Sequence, residues 1–335
     1  MIAFRPRTRL PALPDDGSWA AVAPPWAVVL EEQAMILEPA RWALVDDLRD
    51  VLRALPRGLT GSVSLLPDHR AVELRTRPHV TVAGAVGELG SLRARLTAAL
   101  GRVGRRAAVA GSHPTADWRS DDVCEPVFGL RVAIAVPDAP RAALAHDRLA
   151  RHLPVLLALS ANSPFHQGRE TGLASVRAAA VAAADPAGGA RLRADRGMVE
   201  IDVMDGQTRL ADAGALAALA QCLVRLEATR PRRRGDRHPA DDALSDARRG
   251  AATDGMRAQL LGRPARALAT ELIDACAPHA IALDCLPELE RVRGLASRPG
   301  ETAQRARACL RPGEPSGGRR LRRLTGELSA AFVDA

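Results

Sequence analysis

The chain has 335 residues, of which 47% are hydrophobic and only 2% aromatic, a composition that excludes a disordered, collagen-like or disulfide-stapled protein. Its 47 basic residues outnumber its 39 acidic residues, which gives a formal net charge of +8. Every basic residue is Arg, because the sequence contains no Lys, and it contains no Tyr either. Schiff-base chemistry, a phosphate-loop lysine and phenol acids are therefore excluded.

The positive charge would ordinarily favour a nucleic-acid partner. However, an excess of Ala, Arg, Gly and Pro is typical of a GC-rich genome whatever the function, and aromatic residues that stack on bases are scarce. Arg-driven nucleic-acid binding, suggested by the clusters at 230–238 and 319–323, stays open as the least favoured hypothesis. The five Cys form no CxxC pair and no run of 18 apolar residues exists, so we expect a cytoplasmic protein without membrane contact.

Residues 1–25 are predicted to be a loose lead-in and residues 26–335 a single domain with a helical C-terminal part. Strands are predicted at 26–39, 62–66, 71–76, 107–114, 127–136 and 198–205. Helices are predicted at 41–55, 82–104, 138–160 and 208–228, with about four more after an Arg-rich loop at 230–238. Because the strands lie in the first two thirds of the chain, the fold is predicted to be α+β with an antiparallel or mixed sheet.

Three predicted strands carry polar residues two positions apart, and hence on one face of the sheet. These pairs are Glu31 with Gln33, Glu73 with Arg75, and Glu200 with Asp202. If the strands are neighbours, their carboxylates converge as in sites for Mg²⁺, which would in turn hold nucleotide phosphates. The alternative is an antiparallel sheet whose solvent-facing side is simply charged, and spacing alone favours this alternative.

Several separated strings, in order along residues 26–330, resemble the bacterial carboxylate–amine ligases of the second glutamate-cysteine ligase family. The most specific are SANSPFHQGRETG at 160–172 and EIDVMDGQTRLAD at 200–212, supported by VLEEQAMILEP at 29–39 and AVELRT at 71–76. The resemblance implies a glutamine-synthetase-like catalytic domain. In this fold an antiparallel β-sheet forms an open half-barrel backed by helices, with ATP and Mg²⁺ on its concave face.

The resemblance also implies a reaction. The γ-phosphoryl group of ATP moves to a substrate carboxylate, commonly the γ-carboxylate of glutamate, and an amine such as that of cysteine then displaces phosphate. This chemistry needs positioning and charge stabilisation rather than a protein nucleophile, so the absence of Lys and Tyr does not forbid it. The implied partners are small-molecule amino acids, and a homo-oligomer is left open.

Site residues follow from the resemblance position by position. Metal-ligating acids of the family match Glu31, Glu73 and Glu200. The nucleotide or substrate loop and a C-terminal motif match the cofactor-binding candidates Asn162, Ser163, Gly168, Thr171 and Gln304. Catalytic roles are implied for Arg169 and Arg305. His113 is equally consistent with a structural role in its loop and with a substrate contact.

Three departures from the family pattern fall on this site. Arg131 and Ala133 stand where relatives carry the two histidines of an HxHxG string, Asp202 stands where an ExR motif has its Arg, and the segment before Glu200 is short. Because Arg cannot ligate a metal, a second hypothesis is a family member that has lost the metal site and acts as a binding or regulatory protein. If Arg131 and Asp202 face each other, they would form a buried ion pair.

Overall fold

The computed structural model describes residues 22–59, 61–66, 70–116, 127–184, 188–231, 239–309 and 318–333. Most of the predicted lead-in at 1–25 and of the Arg-rich loop at 230–238 lies outside these residues. The strands are β1 (Val28–Glu38), β2 (Ala43–Leu44), β3 (Val63–Leu66), β4 (Ala71–Arg75), β5 (Arg106–Ala108), β6 (Gly129–Ala135), β7 (Phe165–His166), β8 (Arg169–Glu170), β9 (Ala190–Arg193), β10 (Met198–Asp205), β11 (Gln259–Leu260) and β12 (Arg263–Pro264). The helices are α1 (Arg49–Ala54), α2 (Val82–Arg102), α3 (Ala139–Leu149), α4 (Leu153–Ser160), α5 (Val176–Ala184), α6 (Leu210–Thr229), α7 (Asp241–Asp254), α8 (Ala265–Ala282), α9 (Leu286–Ser297), α10 (Gly300–Ala308) and α11 (Gly318–Val333).

One eight-stranded sheet forms the centre of the molecule. Its main order is β3-β4-β1-β6-β10-β9, and β2 and β5 pair with the C-terminal half of β1. All of these neighbours are antiparallel, and the sheet is open. The predicted α+β class and antiparallel sheet are therefore confirmed. In the part of the chain that the structure describes, no helix is both long and apolar enough to cross a bilayer.

Alternation along β1 separates the two faces of the sheet. Val28, Leu30, Ala34 and Ile36 belong to the main core, which helices such as α2 and α6 cover. Glu32 lies on the same face and is fully buried, and its carboxylate pairs with Arg93 of α2 at 2.8 Å from Oε1 to Nε. Helices α2 and α6 thus pack on this side of the sheet through apolar residues and one buried ion pair.

The opposite face is divided between apolar and charged regions. Around Met35 and Leu37 it forms a second core with Leu321, Leu324 and Leu328 of α11. Toward the start of β1 it carries a small apolar cluster of Ala27, Val29, Ala133, Ala135 and Met198. Between these two clusters lie the side chains of Glu31 and Gln33, so the only part of β1 that is polar on this face is its middle.

Three predicted secondary-structure elements differ from those in the structure. The helix predicted at 41–55 is wrong over its first half, because Leu44 pairs with Leu37 in the sheet and α1 begins only at Arg49. The helix predicted at 138–160 is two helices, α3 and α4. Pro154 in the first turn of α4 has no N–H to continue a helix from the preceding turn. The strand predicted at 107–114 is confined to Arg106–Ala108.

Candidate functional site

Glu31 lies at the centre of the polar region of the sheet. Its register partners are Arg75 on β4 and Arg131 on β6. Oε2 accepts a hydrogen bond from Arg131 Nη1, and Oε1 lies 3.3 Å from Arg75 Nε and 3.8 Å from Arg196 Nη1. Guanidinium groups therefore contact both carboxylate oxygens of a side chain that is only 4% exposed.

The other two predicted metal ligands lie on the same face. Glu73 Oε2 is 3.7 Å from Arg131 Nη1. Glu200 Oε1 is 3.0 Å from Arg193 Nη1 and 4.0 Å from Arg196 Nη1. The structure thus brings the three acids together as the strand spacing predicted, but it also places arginines against them.

Arg131 has a different partner from the one expected. It contacts Glu31 and Glu73, whereas Asp202 Oδ2 pairs with Arg191 Nη1 at 2.6 Å. The register of β10 against β6 shifts between Ile201 and Met204, so Asp202 lies in an irregular stretch without a register partner on β6. Burial alone would lower the pKa of the Arg131 guanidinium, but the carboxylates around it outweigh burial and raise that pKa above its ordinary value.

We call this group the sheet-face cluster. Its members are five arginines (Arg75, Arg131, Arg191, Arg193, Arg196) and five acids (Glu31, Glu73, Asp195, Glu200, Asp202) joined by ion pairs. Magnesium needs several oxygen ligands at about 2.0–2.1 Å in near-ideal octahedral geometry. Both oxygens of Glu31 and one oxygen each of Glu73 and Glu200 lie within 4.0 Å of guanidinium groups. Within the described ranges no three His, Cys, Asp or Glu side chains are arranged to hold a metal ion. The metal role of Glu31, Glu73 and Glu200 stays a prediction, and the residues as arranged do not fit it.

A second polar region surrounds Asp205 at the end of β10. This carboxylate is 1% exposed and accepts hydrogen bonds from Asn162 N at 2.8 Å, Ser163 Oγ at 2.7 Å and Ser175 Oγ at 2.9 Å. Burial raises its pKa, and these donors together with Arg177 at 3.9 Å oppose that rise. Ser163, a predicted cofactor contact, is fully buried and is engaged with this carboxylate. Sequence reasoning missed Asp205, although an acid at the last position of the predicted strand 198–205 is a usable signal.

A cleft of about 640 Å³, including its open mouth, lies beside this network. Its lining comprises Asn162, Gln207, Thr208, Arg209, Asp212, Arg298, Gly300, Ala303 and Gln304. Gln304 Nε2 donates to Asn162 O at 2.7 Å and to Asn162 Oδ1 at 2.8 Å, and Asn162 Nδ2 donates to Gly206 O at 2.8 Å. Two of the predicted cofactor-binding residues, Asn162 and Gln304, therefore line one cleft, and hydrogen bonds from Gln304 to Asn162 fix their side-chain amides.

The remaining candidates belong to the segment that carries the β7–β8 hairpin. Gly168 occupies its turn at φ +78°, a conformation that glycine adopts without strain, and Thr171 Oγ1 donates to Pro164 O at 2.9 Å. The side chain of Arg169 is exposed. Arg305 from α10 clamps this segment, because its guanidinium contacts Glu170 at 2.7 Å, Leu173 O at 2.6 Å, and Glu301. The catalytic roles of Arg169 and Arg305 stay predictions, and the contacts of Arg305 are those of a tether.

The side chain of His113 is buried and makes hydrogen bonds with backbone atoms. The ring is 1% exposed, with Nε2 2.8 Å from Trp42 O and Nδ1 accepting from Thr115 N at 3.2 Å. Nδ1 is thus an acceptor, which assigns the neutral tautomer protonated on Nε2. Burial lowers the pKa of His113 to about 4. Of the two roles left open by the sequence, the structural one accounts for these contacts.

Comparison with known proteins agrees with this architecture. The model of glutamate-cysteine ligase family 2 matches residues 27–127 and 125–193. A protein of Rubrobacter xylanophilus, provisionally named glutamate–cysteine ligase 2-3, is 30% identical over 349 aligned positions that cover 86% of this chain and 93% of that protein. The chain belongs to glutamate-cysteine ligase family 2. A glutamate–cysteine ligase of Halobacterium salinarum is 38% identical over 125 residues, which cover 32% of this chain and 35% of that protein.

Solved structures share the fold of this family member at lower sequence identity. A glutamate–cysteine ligase of Francisella tularensis in complex with AMP superposes with a TM-score of 0.66 at 12% identity, covering 92% of this chain and 89% of that one. The ligase PafA in its complex with the ubiquitin-like protein Pup gives a TM-score of 0.57 at 13% identity, covering 89% of this chain and 71% of that one. At these identities the likeness shows the fold, and it confirms the glutamate–cysteine ligase-like architecture inferred from the sequence strings.

Proposed function

We propose that the chain is an ATP-dependent carboxylate–amine ligase that forms an amide bond through an acyl phosphate. The observation that carries this proposal is the match to the Rubrobacter protein, which covers 86% of this chain and 93% of that protein. The names of the relatives support glutamate as the acid and cysteine as the amine. The AMP bound to the Francisella ligase supports a nucleotide as co-substrate. We also propose that the reaction takes place in the cytoplasm.

The chemistry needs two things that this chain can provide. Negative charge develops on the transferred phosphoryl group, and the guanidinium groups of the sheet-face cluster are the cations on the open face of the sheet that can stabilise it. The substrate must also be held in one orientation, and the amides of Asn162 and Gln304 are fixed in the wall of the cleft. We assign no step to a magnesium ion held by the protein, because its predicted ligands contact arginines.

The alternative drawn from the sequence departures is a family member without catalysis that binds or regulates another molecule. We do not adopt it, because the match covers 93% of a relative named as a ligase and this chain has a polar cleft lined by Asn162 and Gln304. The experiment that tests the ligase proposal also separates it from this alternative.

The test is an assay of ADP formation by the purified chain with ATP and with each of several amino-acid pairs. We expect ADP to form only when a carboxylate substrate and an amine substrate are both present, with glutamate and cysteine among the active pairs, and the amide product to appear by mass spectrometry in equal amount. Absence of ADP and of product with every pair would contradict the proposal.

A matched pair of variants connects the activity to the cleft. Gln304→Leu removes the donor that fixes Asn162, and we expect KM for a substrate to rise about tenfold or more, as for the loss of well-placed hydrogen bonds. Gln259→Leu makes the same chemical change at an exposed position of β11 and should leave KM unchanged. Equal kinetics for the two variants would remove Gln304 from the site.

A further inference from the structure

The acidic and basic side chains of the sheet-face cluster differ in how far they are buried. The carboxylates of Glu31 and Glu200 are each 4% exposed, whereas Arg75 is 34%, Arg196 33% and Arg191 28% exposed. Asp195, which is 62% exposed, is the one acid of the cluster at the rim, so a ligand that approaches from solvent meets three guanidinium groups and one carboxylate before it meets these two buried acids. An anion would find complementary charge at this surface, whereas a divalent cation would have to pass the arginines and displace them.

Arg131 lies among the acids at the position where a bound cation would neutralise them. Its Nη1 contacts both Glu31 and Glu73, and Glu200 also contributes to raising its pKa. A side chain that cannot lose its charge thus already pairs with two of the three predicted metal ligands. Arg131 Nε is buried and has no hydrogen-bond acceptor. A buried N–H without a partner is costly, and an anionic oxygen would satisfy it.

We propose that the Arg131 guanidinium takes the place of a metal ion in the sheet-face cluster. The cluster then binds a nucleoside triphosphate directly through guanidinium groups rather than through a divalent ion held by Glu31, Glu73 and Glu200. Planar guanidinium groups suit this role because they form paired, charge-assisted hydrogen bonds with phosphate oxygens. This inference rests on the proposed function, since it specifies how the same nucleotide is held.

The test is calorimetric titration of the full chain with ATP, once with millimolar MgCl₂ and once with EDTA. We expect the two dissociation constants to agree within about threefold, a difference far smaller than the loss of a site would give. Arg131→Met should weaken ATP binding about tenfold or more under both conditions, and Arg131→Lys, which keeps the charge but not the paired geometry, should weaken it less. Arg266→Met, the same change at an exposed position of α8, is the control and should bind ATP like the unaltered chain.

Glu73→Ala separates the arginine interpretation from the metal-ligand one. If Glu73 holds a metal for the nucleotide, this variant should lose Mg-ATP binding. If the arginines hold the phosphates, removing a carboxylate 3.7 Å from Arg131 should leave ATP binding as tight or make it tighter. Circular dichroism checks that each variant is folded.

The outcomes are distinct. Binding of ATP that requires Mg²⁺ and is lost in Glu73→Ala overturns the inference and leaves the ligase proposal intact. Absence of ATP binding in both media overturns the inference and the proposed function together. If Arg131→Met does not fold, Mn²⁺ titration of the unaltered chain without nucleotide, followed by electron paramagnetic resonance, decides: specific Mn²⁺ binding that Glu73→Ala removes would contradict the inference, and its absence would support it.

Discussion

Arg93 connects three parts of the fold that the site depends on. It is 1% exposed, and its guanidinium pairs with Glu32 on the central strand while donating to Thr208 O at 3.1 Å and Gln207 O at 3.0 Å. Those two carbonyls belong to the segment between β10 and α6, which lines the cleft. The guanidinium also lies 4.9 Å from the ring centroid of Phe332 in α11. One side chain thus fixes the helix side of the sheet and a wall of the cleft.

Removal of one partner of a fully buried ion pair leaves an uncompensated charge and costs about 3–5 kcal/mol. Arg93→Met also leaves the two carbonyls without their donor, each at roughly 1 kcal/mol. We therefore expect this variant to lose at least about 4 kcal/mol from its free energy of unfolding. The double variant Glu32→Leu with Arg93→Met removes both charges, so only the carbonyl and packing losses remain, and we expect it to lose about 2–3 kcal/mol.

Equilibrium unfolding in urea measures these differences, with coincident fluorescence and circular dichroism transitions as the check that unfolding is two-state. Arg95→Met lies on the same helix at an exposed position and should change stability by less than about 0.5 kcal/mol. A loss below about 1 kcal/mol for Arg93→Met, or a double variant at least as unstable as the single one, would refute the assignment of this pair as a buried structural contact.

Three further predictions follow from the buried polar groups. The pKa of His113 is about 4 in the folded chain, so its ring takes up a proton more readily when the chain is unfolded. The stability from the neutral ring is therefore fully present above pH 6.5, and about 3 kcal/mol is lost as the pH falls from 6.5 to 4. His113→Gln should flatten this pH dependence in a series of urea unfolding experiments, and an unchanged slope would refute the assignment of a buried neutral His113. Asp205→Ala removes the acceptor of Asn162 N and two serine hydroxyls and should cost about 3 kcal/mol or more in the same assay, whereas a loss under about 1 kcal/mol would contradict the network. Arg305→Met should speed amide hydrogen exchange of the β7–β8 hairpin at least about tenfold, and unchanged exchange would show that the tether does not hold it.

The periodicity of hydrophobic residues and the amino-acid composition predicted the strands and helices that form the core of the fold. The apolar alternation of β1 and β10 and the helical spacing of α2 and α6 are strong over long segments, and the structure has each of them close to the predicted place. The same period of two placed Glu31, Glu73 and Glu200 on one face. A short segment such as 41–48 carries too few residues for its period to outweigh sheet pairing with β1.

The contacts that decide the character of the site depend on register and on pairs distant in sequence. Arg131 meets Glu31 because the two residues are register partners on β6 and β1. Asp202 instead lies in the irregularity between Ile201 and Met204, which no residue pattern indicates. Glu32 and Arg93 are 61 positions apart, and nothing in either segment identifies the other as its partner. Sequence therefore predicted which acids share a face, but not that arginines neutralise them.

The proposed reaction activates a carboxylate as an acyl phosphate. It is tested most directly with glutamate that carries ¹⁸O in its γ-carboxylate, incubated with the chain, ATP and cysteine, followed by mass spectrometry of the released phosphate. An acyl phosphate transfers one carboxylate oxygen to phosphate, so we expect labelled phosphate in amounts equal to the amide formed. Phosphate released without label, or no phosphate release beyond that of ATP alone, would contradict the account.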